Sequence, residues 1–175
     1  NANPELKTAY NNKYDQAKAI VEGTGQSPIL TPNEVNHALK QVTFTEQALN
    51  GNTNLNNAKQ QALTALGQLT HLNQAQRQAL ETQINDAHQI DTVNNAKELA
   101  NNIDGAMANL QQSIANKEDV NQGEDYIDAE QQKQLNYNDA VTNAETIINE
   151  TSQPTLDVNT INQAINNVNQ TKDAL

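Results

Sequence analysis

Between positions 91 and 116 the chain reads DTVNNAKELANNIDGAMANLQQSIAN, with apolar side chains at Val93, Ala96, Ala100, Ile103, Met107, Leu110 and Ile114. The steps between them run 3, 4, 3, 4, 3, 4, the spacing of a helix that keeps one apolar stripe along its length. This predicts a helix over 92–116, of about 25 residues and roughly 37 Å. Asp91 or Thr92 can cap its start. Gly105 lies inside the pattern and costs on the order of 1 kcal/mol in helix propensity, so a bend or a close-packing point is expected there.

The remaining apolar patterns are shorter and well punctuated. Thr31, Pro32 and Glu34 have the order of a capping box with proline at the first helical position. They open a helix whose stripe is Val35, Leu39, Val42 and Leu49. Leu55, Ala58, Ala62 and Leu66 mark a helix over 54–67, with Gly67 expected as a left-handed stop. Asn73 and Gln76 stand in capping relation ahead of Leu80, Ile84 and Ala87, predicting a helix over 73–88. Further helices are expected over 5–22, about 128–149 and 157–175, the last capped by Asp157. All four prolines fall at ends or in loops, and no run alternates as a strand would. Whether 49–55 continues one helix into the next is left open by the pattern.

A repeat organises these helices. Val42, Ala48 and Leu49 recur 126 residues later as Val168, Ala174 and Leu175, and Leu30, Val35 and Ala38 as Leu156, Ile161 and Ala164. Pro28 pairs with Pro154. Upstream the offset becomes 127, so that Tyr10 pairs with Tyr137, Ala17 with Ala144, and Ile20 and Val21 with Ile147 and Ile148. Residues 1–50 and about 127–175 are therefore the same element, and 51–126 occurs once. A period of this size signals stacked helical units.

The stretch LNNAKQQALTALGQLTHLNQAQRQALETQINDAHQIDTVNNAKELANNI resembles the GA module, a three-helix unit of Gram-positive surface proteins. The matching residues are Leu55, Asn57, Ala58, Lys59, Ala62, Leu66, Leu72, Asn73, Ala79, Ile84, Ala87 and Val93. The flanking element, from Ala106 through YIDAEQQKQLNYNDAVTNAETIINETSQPTLDVNTINQAINNVNQTKDAL, resembles the FIVAR module. The alternation at about 126 residues is similar to that of giant staphylococcal surface proteins. The expected fold is all-α: tandem three-helix bundles stacked end to end into a rod and sharing a long connecting helix. Residues 1–50 would be a partial FIVAR-like bundle of two helices, 51–105 a GA-like bundle and 106–175 a FIVAR-like bundle, with helix 92–116 shared. Two helices alone leave Leu6, Tyr10, Ala17, Val21, Val35, Leu39 and Val42 incompletely covered.

Composition narrows the chemistry. The 175 residues include 29 Asn and 21 Gln but no Cys, so neither a disulfide framework nor a thiolate site exists. The regular apolar spacing favours helix faces decorated with amides over an aggregating amide tract. A net charge of −11 argues against nucleic acid and against an anionic membrane surface. No apolar run approaches the roughly 18 residues of a membrane span. With no initiator Met, signal peptide or anchor, the chain reads as a piece of something longer, anchored through other parts.

No constellation supports catalysis, a cofactor or a metal. His37, His71 and His88 fall on different elements, without the one-turn spacing of metal-binding pairs. Glu118 with Asp119 and Glu124 with Asp125 lie in a polar connection and lack calcium-loop spacing. Ser27, Ser113 and Ser152 have no nucleophile-elbow context. The glycines of GTG at 23–25 break a helix and lack a phosphate-loop lysine. Tyr10 and Tyr14 lie one turn apart, as stacked residues on a partner face could, but the expected role is to fill the core beside Leu6, Ala17 and Val21.

Two functions then follow from the resemblance. The FIVAR and GA alternation implies a non-enzymatic segment of a giant bacterial cell-surface protein, a stalk and adhesin that attaches to extracellular-matrix protein, fibronectin in particular. The GA module alone implies a discrete albumin- or serum-protein-binding unit that uses its second helix and flanking loops, here about 70–95. That surface has no aromatic residue, and of the residue types that dominate binding hot spots it offers only Arg77, the one candidate partner-binding residue. Albumin is therefore the lesser expectation.

Overall fold

The computed structural model describes residues 1–24 and 31–175, and among them all regular structure is helical. Gly25, Ser27, Pro28 and Leu30 lie outside the described residues. The chain divides into two compact units, 1–58 and 59–175.

In the first unit, α1 (Pro4–Glu22) packs against α2 (Pro32–Gln47). Gly23 ends α1 with φ 66°, the left-handed region that costs glycine least. Its N–H reaches the Ile20 carbonyl at 3.3 Å and the Thr24 N–H reaches Ala19 at 3.0 Å, a Schellman closure. The expected capping box starts α2: the Glu34 N–H donates to Thr31 Oγ1, and the Thr31 N–H donates to Glu34 Oε2 at 2.7 Å. The chain leaves the helix after Gln47 and re-enters at Gly51, so 49–55 is not one continuous helix. Asparagines pin this corner. The Asn3 N–H donates to Asn50 Oδ1 at 3.0 Å, and Asn54 Nδ2 donates to the Asn1 carbonyl at 3.0 Å.

Neither α1 nor α2 contains a buried residue, in keeping with a two-helix element. Leu6, Tyr10, Ala17 and Val42 are half-buried, whereas Val21 is 87% and Leu39 61% exposed. The expected tyrosine core needs correcting. Tyr10 and Tyr14 stack with ring centroids 6.1 Å apart, but Tyr14 and Val21 are both exposed.

α3 (Gly51–Gln68) leads into the second unit, where α4 (Gln74–Asp86) and α5 (Ile90–Ser113) follow. The single stripe on α5 is buried throughout: Val93, Ala96, Ala100 and Ile103 in its first part, Ala106, Met107 and Leu110 in its second. α5 packs against α4 and also against α8 (Gln131–Ile148) and α9 (Val158–Asp173). One continuous helix thus serves two bundles. Each fully buried Leu or Ile, such as Leu80, Ile84 and Ile161, contributes roughly 1.5–3 kcal/mol.

Several expectations shift here. α5 begins at Ile90 behind Gln89, which makes no side-chain cap, so Asp91 and Thr92 sit inside the first turn. Gly105 is not a close-packing point, because a Cβ there would meet nothing within 4 Å. Gly67 is not a left-handed stop either. It lies within α3, and Gly23 is the one glycine with positive φ among the described residues. Arg77 does the capping instead: its guanidinium donates to the Leu66 and Leu69 carbonyls at 2.7 and 2.6 Å. Lys59 on α3 donates in turn to the Asn85 carbonyl at the end of α4, at 2.6 Å. Each cation meets the negative end of the neighbouring helix. Finally, the polar connection holds two short helices, α6 (Lys117–Gln122) and α7 (Glu124–Asp128).

Candidate functional surfaces

The internal repeat allows one face to be seen in two settings. On α8 and α9, Tyr137, Ile161 and Val168 are fully buried, with α5 packed against both helices. Their counterparts on α1 and α2 are the half-buried Tyr10, the exposed Val35 and the half-buried Val42. The residue types are conservative, so burial follows the packing: α5 lies against both α8 and α9, and among the described residues no helix packs to that extent against α1 and α2 together.

Other apolar side chains stay exposed for a different reason. Phe44 is 72% exposed, and its repeat counterpart is Gln170, itself exposed, so this position is off the bundle-facing stripe. Ile127 and Leu135 are exposed in the unit that has α5 in place. Charge is uneven as well. Lys7, Lys13, Lys18 and Lys40 nearly balance Glu5, Asp15, Glu22, Glu34 and Glu46 in residues 1–58, so almost the whole acidic excess falls on 59–175.

The candidate residues are dispersed. Arg77 is half-buried, with two guanidinium nitrogens spent on carbonyls in and just past the last turn of α3. The His71 backbone N–H donates to Asp104 Oδ1 at 2.8 Å, and its ring Nδ1 lies 3.1 Å from Oδ2. His37 lines a groove between α1 and α2 with Lys13 and Glu34, while His88 is exposed after α4. Glu118 and Asp119 occupy the first turn of α6, and Glu124 and Asp125 that of α7. Among the described residues no group of three or more His, Asp or Glu could hold a metal ion. Ser113 Oγ donates to the Leu110 carbonyl at 2.7 Å, and Ser152 Oγ to Glu150 at 3.1 Å. The shallow groove between α4 and α5 is lined by Gln83, Asp86, Ala87, Thr92, Asn95, Ala96 and Leu99, without an aromatic ring.

Electrostatic perturbations follow local geometry. Glu150 accepts N–H bonds from Thr151, Ser152 and Gln153 at 2.9, 2.7 and 3.0 Å. The Gln153 and Ser152 bonds hold its carboxyl down at about 2. Thr31 lowers Glu34, and Thr160 lowers Asp157, in the same way. Lys117 pairs with Glu145, whose hydrogen bond raises the ammonium. Burial raises the Tyr137 phenol, which stacks edge-on with Tyr126 at 6.2 Å.

Two contacts went beyond the sequence reading. Asn73 and Gln76 form the expected capping box, with Gln76 N–H to Asn73 Oδ1 at 2.8 Å and Asn73 N–H to Gln76 Oε1 at 3.1 Å. Their Nδ2 and Nε2 groups also donate to the Ile147 and Thr155 carbonyls, both at 2.9 Å. The available signal was an amide at both capping positions, since Gln serves the box as well as Glu and brings a donor besides.

Comparison with known proteins fits this architecture. The FIVAR domain matches residues 1–50 and 106–175, and the GA module matches 52–106. The chain belongs to the FIVAR domain family. With a GA module between its FIVAR segments it is a non-catalytic helical repeat segment. It is 52% identical over 175 residues to "Extracellular matrix-binding protein EbhB" of Staphylococcus aureus strain Newman. It is 55% identical over 161 residues, 92% of the chain, to "Extracellular matrix-binding protein ebh" of strain MRSA252. The first alignment takes in the whole chain, and in each case the chain spans about 2% of the relative's length. The crystal structure of EbhA (756–1003 domain) from S. aureus superposes with a TM-score of 0.83 at 39% identity, over 99% of this chain and 70% of that one. A structure from a characterization of Embp-mediated Staphylococcus epidermidis adherence to fibronectin gives 0.67 at 28% identity, over 70% and 97%. No helix among the described residues is long and apolar enough to cross a membrane.

Proposed function

We propose that this chain is a stalk-and-adhesion segment of a bacterial cell-surface protein and that it engages extracellular matrix, with fibronectin the component bound. The observation that carries the reading is the position of Phe44, Ile127 and Leu135. All three are exposed, and all three lie in FIVAR-matched segments. Among the described residues, no large exposed hydrophobic side chain falls between 59 and 113. Exposed apolar and aromatic side chains are what protein partners bury. The names of the relatives and the fibronectin-adherence neighbour support the same partner class.

In this reading the modules divide as 1–50, 51–105 and 106–175, with α5 shared by the last two, and a preceding helix of the same kind covers α1 and α2. Among the described residues the α4 face offers serum albumin no aromatic and no large exposed apolar side chain, and its Arg77 is already used as a cap. The serum-protein reading is therefore not favoured. The test is saturable binding of the full chain to immobilised fibronectin. Serine at Phe44, Ile127 and Leu135 together should weaken it while helix content stays unchanged. Undiminished binding of the folded triple variant would remove these side chains from the interface.

A further inference from the structure

The Asn73–Gln76 pair stands where two bundles meet on α5. We infer that it is a two-sided joint: its carbonyl oxygens cap α4, while its amide nitrogens lock the α4 bundle to the α8–α9 bundle and fix the angle between them.

A capping box needs two side-chain acceptors, one for each exposed backbone N–H. Asn73 Oδ1 and Gln76 Oε1 meet that need. A Ser or Thr with Glu would meet it equally well, as Thr31 and Glu34 do on the exposed start of α2. An ionised Glu has no donor left to give. An amide has, and here both amides use it. Asn73 Nδ2 donates to Ile147, whose carbonyl is one of the last four of α8 and lacks a helical partner. Gln76 Nε2 donates to Thr155 in the loop before α9. Gln76 is fully buried, and it is the one buried polar residue among those described. Both of its amide atoms are satisfied, which is what makes such a position tolerable in a dry joint.

Neighbouring residues tighten the grip. The His71 N–H donates to Asp104 on α5, and Gln111 Nε2, two turns further along α5, donates to the His71 carbonyl at 3.1 Å. The segment ahead of α4 is thus tied to α5 on one side and to α8–α9 on the other. The bonds from Asn73 and Gln76 across to the second bundle are neutral amide-to-carbonyl bonds. Salt screens charges and leaves such bonds largely untouched, so the joint holds its angle across ionic strengths. Amides therefore serve here as connectors between bundles, in addition to decorating solvated faces.

The test uses the full chain, which contains no Cys, with nitroxide labels on cysteines placed at exposed Gln83 and Asn162. Pulsed electron resonance reads the distance between the two bundles. Asn73→Asp and Gln76→Glu are near-isosteric, keep the capping acceptors and delete the donors. Hydrogen exchange at the Leu80 and Leu110 amides reports whether each variant stays folded. With Leu80 and Leu110 still protected, the distance distribution should roughly double in width in either variant, as a strut becomes a hinge. Glu34→Gln, in the exposed box, should leave it unchanged, as should raising salt from about 0.05 to about 1 M in the native chain. An unaltered distribution in the folded variants would overturn the joint, as would a native width that changes with salt. Loss of Leu80 protection in both variants would also overturn it, since the amides would then belong to the fold of α4 itself.

Discussion

Replacing Gly105 by alanine and, separately, by proline perturbs α5 at one backbone position with opposite signs. Gly105 sits on the exposed side of α5, midway along the stripe, and a Cβ there meets nothing within 4 Å. Alanine therefore adds no clash and removes the backbone entropy that glycine loses on folding, a gain of about 1 kcal/mol. Proline removes the N–H bond to the preceding turn and strikes the carbonyl four residues back, a loss of about 3 kcal/mol or more. Because the stripe on α5 is buried in both bundles, each change should be felt on both sides of position 105. Native-state hydrogen exchange resolves this residue by residue. Exchange at Leu80 and Ile84 in α4, and at Ala144 and Val168 in α8 and α9, should slow about fivefold with alanine and speed on the order of a hundredfold with proline. Equal factors on the two sides mean that α5 is a strut. A change confined to Ala144 and Val168, or to Leu80 and Ile84, would refute the coupling and make position 105 a hinge between independent bundles.

Further outcomes follow from the same geometry. The amides of α1 and α2 should exchange faster than those of 59–113, because neither helix holds a buried residue, and supplying a covering helix of the α5 kind should slow them; equal protection in dilute solution would contradict the module boundaries. Arg77→Ala frees the Leu66 and Leu69 carbonyls and should lower stability by about 1–2 kcal/mol in urea titrations, with little effect on fibronectin binding. Glu150 is held at about 2, against 4.5 ordinarily, and Glu34 and Asp157 are also lowered. Their folded values lie below the unfolded ones, so their contribution is present above about pH 4.5 and is lost as pH falls toward 2; Glu150→Gln should flatten the thermal midpoint against pH in that window, and an unchanged slope would remove Glu150 as a cause.

Much of this architecture is legible in local chemistry. The Thr31–Glu34 and Asn73–Gln76 boxes, the Asp157 cap and the stripe from Val93 to Leu110 are fixed by residues within a turn or two, so periodicity and capping rules find them. Contacts between distant residues decided what those rules missed. Gly67 has the sequence look of a stop, but Arg77, ten positions on, caps the carbonyls and lets α3 run through it. Residues 117–128 form helices of 6 and 5 residues, too short to show a stripe. Tyr14 and Val21 match the buried or half-buried Val141 and Ile148 in repeat register, yet lie exposed because coverage depends on a third helix. Gln76 is readable as a cap, but its bond to Thr155 spans 79 residues and leaves only the choice of amide over carboxylate as a trace.

The proposal that this segment engages extracellular matrix is tested most directly by presenting the full chain to immobilised fibronectin, albumin and immunoglobulin side by side. Saturable binding to fibronectin, absent from the other two, is the predicted result. Saturable binding to albumin alone would contradict it.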